Sequence, residues 1–196
     1  MRTVAADECL GIRGHGLMTA LPFADEEDVE VELFPSAEDL CRHRLGEAGA
    51  ILNQGLADCI DLGLQCRQSY RSLPRDDAFG VRDLAAQIAS ELDACADQIG
   101  ERLLVVGGVP EGTVRAVAFR SQLMAFDLSA RSPDDLAELL AQGIAQFVRT
   151  VRAGTLDIAE RGDAESARVF ERIARIMETR WTLLEATLGG VPWPGP

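Results

Sequence analysis

From Ser36 onward, apolar or small residues recur every seven positions, at Leu45, Leu52, Cys59 and Cys66. A second set, Gly49, Leu56, Gly63 and Tyr70, is interleaved with the first. A seven-residue repeat with two inward positions predicts a helix that packs in a bundle. Ser36 is placed to cap it, Glu38 and Asp39 suit the positive end of its dipole, and Pro74 ends it. At 1.5 Å per residue this first helix is about 50 Å long. A second stripe, Val81, Leu84, Ile88, Leu92, Cys95, Ile99 and Leu103, predicts a helix from about Asp77 to Val106, closed by Gly107 and Gly108. Residues 108–131 then read as a link with room for a short helix near Thr113 to Ala125. Ser132 followed by Pro133 opens a third long helix, whose stripe is Leu136, Leu140, Ile144, Phe147 and Val151. Gly162 and Asp163 restart the chain, and a fourth helix carries Phe170, Ile173, Met177, Trp181, Leu184 and Leu188 before Gly189-Gly190.

Four long helices with a short first loop, a long second link and a short third loop form an all-α bundle with one long crossover, the ferritin-like topology. The expected organisation is an extended acidic tail over 1–35, the bundle over 36–190, and a proline-rich end over 191–196 that cannot be helical. In the tail, Gly11, Gly14, Gly16 and Pro22 break regular structure, while Val29 to Leu33 alternate as a short extended segment would.

Composition narrows the function classes. The 196 residues suffice for one domain with a substantial core. The apolar fraction is 47%, yet no run approaches the roughly 18 residues of a membrane span. No secretory start is visible, and five cysteines without a CxxC pair suit a reducing cytoplasm. His15 and His43 are too far apart in sequence to form a zinc cluster. The net charge is −13, and all 19 basic residues are Arg. Non-specific nucleic-acid wrapping needs the opposite balance, so no nucleic-acid partner and no membrane partner are expected.

The most informative stretch is residues 97–118. Asp97 and Glu101 are four apart on a helix, so both carboxylates share one face. Such a pair can hold a hard metal ion, form ion pairs, or simply be solvated. Asp134, Asp135 and Glu138 crowd the start of the third long helix, where they complement its dipole.

Taken together, Asp97-x-x-x-Glu101-Arg102, Gly107-Gly108-x-Pro110-x-Gly112-Thr113, Gly162-Asp163-x-x-Ser166-Ala167, Trp181, and Leu52-Asn53-Gln54-x-Leu56-Ala57-Asp58 resemble the Dps family, the mini-ferritins named for DNA protection during starvation. The resemblance covers about residues 36–188. It implies a shell of twelve identical subunits that oxidises and stores iron in stress protection. It places the iron sites across two-fold interfaces, with two histidines from one subunit and an aspartate and a glutamate from its mate. The acids match Asp97 and Glu101. Tyr70 and Arg82 stand at the histidine positions, so neither imidazole is present. Arg has no lone pair to give a metal, and a neutral phenol is a poor ligand. Asp83 is the one acid left on the corresponding stretch of the inner wall. By the same resemblance, Asp134, Asp135 and Glu138 would line a three-fold iron-entry pore. The family's DNA binding comes from basic tails, whereas this tail sets Arg2 and Arg13 against acids that include Asp25, Glu26, Glu27 and Asp28. The expectation is a shell protein with weak or absent ferroxidase activity and no DNA binding, with Arg82 of one subunit approaching Asp97 or Glu101 of its mate. The alternative keeps iron oxidation and moves it to other carboxylates such as Asp83, Glu91 or Asp93.

Overall fold

The computed structural model describes residues 37–74 and 80–188, with side chains described from 46 onward. The expected tail over 1–35, the cap at Ser36, the start at Asp77 and the end over 189–196 lie outside these residues. Two compact units divide the chain, Met1–Arg44 and Leu45–Pro196. The first is described only as the start of a helix.

Among the described residues there are five helices and no strand: α1 (Ala37–Ser72), α2 (Val81–Val105), α3 (Val114–Arg120), α4 (Pro133–Glu160) and α5 (Ala164–Thr187). Each boundary has a local cause. Gly80, at φ 68, stands before α2 in the left-handed region that glycine tolerates best. Thr113 caps α3 through Ala116 N–H, Ser132 caps α4 through Asp135 N–H with Pro133 in the first turn, and Asp163 caps α5 through Ser166 N–H. Gly107 (φ 78) and Gly162 (φ 87) turn the chain after α2 and α4.

The inward stripes meet in one core. Leu52, Leu62, Ile88, Leu92, Ile99, Leu103, Leu136, Leu140, Ile144, Phe147, Ile158 and Phe170 are its largest fully buried side chains. Trp181 is buried with them. α1, α2, α4 and α5 form the bundle, and residues 107–132 cross it from α2 to α4. Cys59, Cys66 and Cys95 are buried free thiols. Burial pushes Cys66 up to about 12 and Cys95 up to about 11, so both stay protonated and act as small apolar residues. Cys59 donates to Leu92 O at 3.2 Å, tying α1 to α2.

One expectation is corrected. The seven-residue repeat makes Tyr70 an inward position, but at the end of α1 it is 37% exposed, and Arg82 rather than the core covers its ring. The short helix of the crossover falls within the expected 113–125 and ends at Arg120, because the next residues bond to side chains instead of continuing the helix.

Those side chains form a polar stripe on α1. Asn53 accepts from Glu111 N–H at 2.9 Å and donates to Val109 O at 3.0 Å. Gln54 donates to Arg120 O at 3.0 Å and to both oxygens of Asp58. Asp58 accepts from Gln122 N–H at 2.8 Å, Asp61 from Ser121 Oγ at 2.6 Å, and Gln65 donates to Met124 O at 3.2 Å. The stripe supplies the hydrogen bonds that an irregular crossover cannot make with itself. In the sequence, Asn53, Gln54 and Asp58 stand out only as part of the family pattern. Their signal is amide and acid residues recurring on one helical face beside the apolar stripe.

Asp58 is fully buried with no cation bonded to it among the described residues. Burial raises its carboxyl above the ordinary 3.8, against the lowering effect of hydrogen bonds from Gln122, Gln54 and Ser121. A raised native pKa means the folded state holds the proton longer than the unfolded chain. That contribution to stability is complete below 3.8 and is lost as pH rises through the native value. Asp58→Asn cannot ionise. The stability of the native protein relative to this variant is therefore expected to fall with rising pH above 3.8 and then level off. Urea unfolding of both proteins across that range tests it, and parallel curves would refute it.

Candidate functional site

Asp97 and Glu101 project from the C-terminal half of α2 and are both exposed. They border an open groove of about 410 Å³, also lined by Leu56 and Ile60 of α1, Ala96 and Gly100 of α2, and Pro110 and Gly112 of the crossover. The crossover is held over α1 here by Asn53, and the Arg120–Glu111 ion pair at 2.6 Å braces the crossover internally. Neither Asp97 nor Glu101 has an ion-pair partner among the described residues.

The neighbouring Arg102 has a different role. Its Nη2 meets Asp163 Oδ1 at 2.8 Å and its Nε donates to Ser166 Oγ at 2.8 Å. Asp163 also accepts from Ser166 N–H and Ser166 Oγ. Two of the sequence motifs, around Arg102 and around Asp163, thus form one buried network joining the end of α2 to the start of α5.

Tyr70 and Arg82 come together at the opposite end of α2. The guanidinium carbon of Arg82 lies 4.0 Å from the centre of the Tyr70 ring, and Arg82 Nη1 donates to Leu73 O at 3.0 Å. The face-on stack is a cation–π contact, and the Leu73 bond fixes its orientation. Arg82 precedes Asp97 by about four turns, roughly 22 Å along α2. Within one subunit the two ends do not meet.

The other acids are dispersed. Asp83 is exposed in the first turn of α2. Glu91 is held by Arg180, with Nε to Oε2 at 2.6 Å, and Asp93 pairs with Arg67. Asp134 and Asp135 occupy the exposed first turn of α4, and Glu138 accepts from Gln142 at 3.2 Å. Among the described residues no three His, Cys, Asp or Glu side chains converge as a metal cluster within the chain. The donors that do line the groove are two carboxylates and no imidazole. Alone they do not make the nitrogen-and-oxygen set that suits iron.

Large exposed apolar side chains concentrate on the end of α2 and on the crossover: Leu104, Val105, Val109, Val114, Phe119, Met124 and Leu128, with Phe119 91% exposed. No helix among the described residues is long and apolar enough to cross a membrane.

No family model matches the chain. It is 29% identical over 136 residues to a DNA protection during starvation protein of Agrobacterium fabrum, covering 69% of this chain and 84% of that protein. Among solved structures, a mutant Dps of Mycobacterium smegmatis superposes with a TM-score of 0.71 at 16% identity, over 74% of this chain and 97% of that one. The Dps protein of Vibrio cholerae, described as a member of a broad superfamily of ferritin-like diiron-carboxylate proteins, gives 0.69 at 17% identity, over 75% and 92%. These structures share the fold: a four-helix bundle with a helix-bearing crossover. In fold, in the name of its curated relatives and in the motif residues joined at Arg102, Asp163 and Ser166, the chain is similar to the Dps proteins.

Proposed function

We propose that this chain is a cytoplasmic, iron-related stress protein that assembles as a homo-oligomeric shell of twelve, oxidises ferrous iron weakly or not at all, and does not bind DNA. The observation that carries the reading is the Tyr70–Arg82 stack. A working two-fold site needs neutral nitrogen donors at these positions. Here a permanent cation lies against a phenol ring instead, and a guanidinium beside a divalent ion repels it. Iron is the substrate in question, and no step of its oxidation is assigned to this site. The exposed apolar side chains along the crossover support self-assembly, because monomers seldom leave so many in one region.

The alternative, iron oxidation at relocated carboxylates, is less well supported. Glu91 and Asp93 are already paired with Arg180 and Arg67. Asp83 stands without a second acid in its turn of α2.

Initial rates of ferrous-iron oxidation test the proposal. The native protein is expected to barely exceed buffer. Tyr70→His with Arg82→His should raise the rate roughly tenfold or more, the scale on which changes around a metal act. A native rate equal to that of the double variant would sink it. A mobility-shift assay tests the DNA part. With a net charge of −13 per chain, no retardation of duplex DNA is expected at about 150 mM salt. A retarded band would overturn it.

A further inference from the structure

The crossover segment 120–124 is bonded through its backbone from two helices. From α1, Gln54 donates to Arg120 O, Asp58 accepts from Gln122 N–H at 2.8 Å and Gln65 donates to Met124 O. From α4, Gln146 accepts from Met124 N–H at 3.1 Å and donates to Gln122 O. Neutral amides make all of these bonds but one. Asp58 is the exception, and it is fully buried. Ser121 stands beside it, between two acids. Its Oγ donates to Asp61 Oδ2 at 2.6 Å, reaches the Asp58 carboxyl, and accepts from Leu123 N–H at 3.3 Å. A hydroxyl has one hydrogen to give and two lone pairs. With both acids ionised, Ser121 serves one of them and leaves the other short of a donor. With a proton on Asp58, that carboxyl donates to Ser121 Oγ and Ser121 donates to Asp61. Asp58 Oδ1 keeps its bonds from Gln122 N–H and Gln54.

We propose that Asp58, Ser121 and Asp61 form a proton-dependent latch, which grips the crossover on α1 while Asp58 holds a proton and loosens when that proton leaves. The surroundings favour the proton. Asp61, the charged group that acts on Asp58, is itself an acid and opposes a second negative charge. Cys59 on the same helix is neutral, because burial lifts its thiol well above the ordinary 9.0, and α2 brings Asp93 and Cys95 to that thiol. On the crossover, Arg120 is paired with Glu111. α4 supplies the neutral Gln146. A serine hydrogen aimed at Asp58 lowers it, but Asp61 takes that hydrogen at 2.6 Å. Burial holds the Asp58 carboxyl above 3.8 in the folded chain. The latch is therefore fully closed below 3.8 and loses grip as pH rises through the native value. What it holds is the segment between Phe119 and Met124, two of the exposed apolar side chains.

Hydrogen exchange of the full chain across pH, divided by the intrinsic exchange rate at each pH, tests this, because it reads local opening. Peptides covering 120–125 should open locally and so stay less protected than those of α4. Their protection should fall severalfold as pH rises from 3.8 and then level off. Asp58→Asn, which cannot ionise, should flatten the response. Ser121→Ala keeps Asp58 but removes the acceptor for its proton, so the fall should shrink. A buried acid with the serine as an ordinary donor behaves in the opposite way: without the serine its charged form is less favoured, and the fall grows. A larger fall in Ser121→Ala, a native protein whose protection at 120–125 ignores pH, or protection there equal to that of α4 would overturn the latch.

Discussion

Asp163→Ala is expected to destabilise the subunit by about 3–5 kcal/mol, the scale for leaving a buried charge without its partner. The carboxylate is almost fully enclosed, and Arg102 is only slightly more exposed. Solvent therefore screens this pair far less than the surface pairs Arg168–Glu165 and Arg175–Glu171. The substitution removes two contributions at once. One is the ion pair with Arg102, which holds α2 to α5. The other is the cap on α5, made by Asp163 to Ser166 N–H, worth about 0.5–2 kcal/mol alone. Asp163→Asn separates them, since asparagine caps as well as aspartate but carries no charge. It should lose part of the stability, and Arg102→Ala should not add fully to it. Urea unfolding of the three single variants and the Arg102/Asp163 double variant measures this coupling. Strict additivity would mean that the two side chains act independently.

The second large effect is expected at Phe170. Its ring is wedged between two glycines on different helices. A Cβ at Gly55 of α1 would lie 2.5 Å from Phe170 Cζ, and one at Gly154 of α4 would lie 2.8 Å from its Cε2 and 2.9 Å from Ile51 Cγ2. α1, α4 and α5 approach closely here because two of them lack side chains. Phe170→Ala should cost about 3–5 kcal/mol, since the surrounding helices cannot collapse into the space left behind. Gly154→Ala should destabilise by about 1–3 kcal/mol from overpacking, despite alanine's better helix propensity. Gly154→Ala combined with Phe170→Leu should then cost less than the two substitutions summed, because the smaller side chain makes room for the methyl. Thermal or urea unfolding of the set reads this directly. A stabilised Gly154→Ala variant would show that the ring moves aside freely.

The long helices and their inward faces were legible without any structure. Apolar residues at Leu52, Leu92, Ile144 and Phe170 recur with a helical period that only burial along one face explains, and each lies in the core. The cap at Ser132 was legible for a similar reason, because a cap is a local bond between a side chain and a backbone a few residues away. What the residues could not reveal is long-range. Asn53 and Glu111 meet across the crossover, as do Gln54 and Arg120, and Asp58 and Gln122, although dozens of residues separate the partners. No periodicity encodes such a match. Arg102 and Asp163 carried separate motif signals, and only folding made them partners. Tyr70 continued the heptad stripe yet came to rest partly exposed, because a straight helix drifts against a seven-residue repeat, so that Ser69 and Leu73 are buried there while Arg82 covers the Tyr70 ring. The sequence by itself determined the helices, the inward faces and the absence of histidine at Tyr70 and Arg82. Tertiary structure decided which polar groups satisfy one another and which residues of α1 and the crossover wall the groove beside Asp97 and Glu101. Local periodicity follows from the geometry of a single helix, whereas these contacts depend on how several helices are arranged.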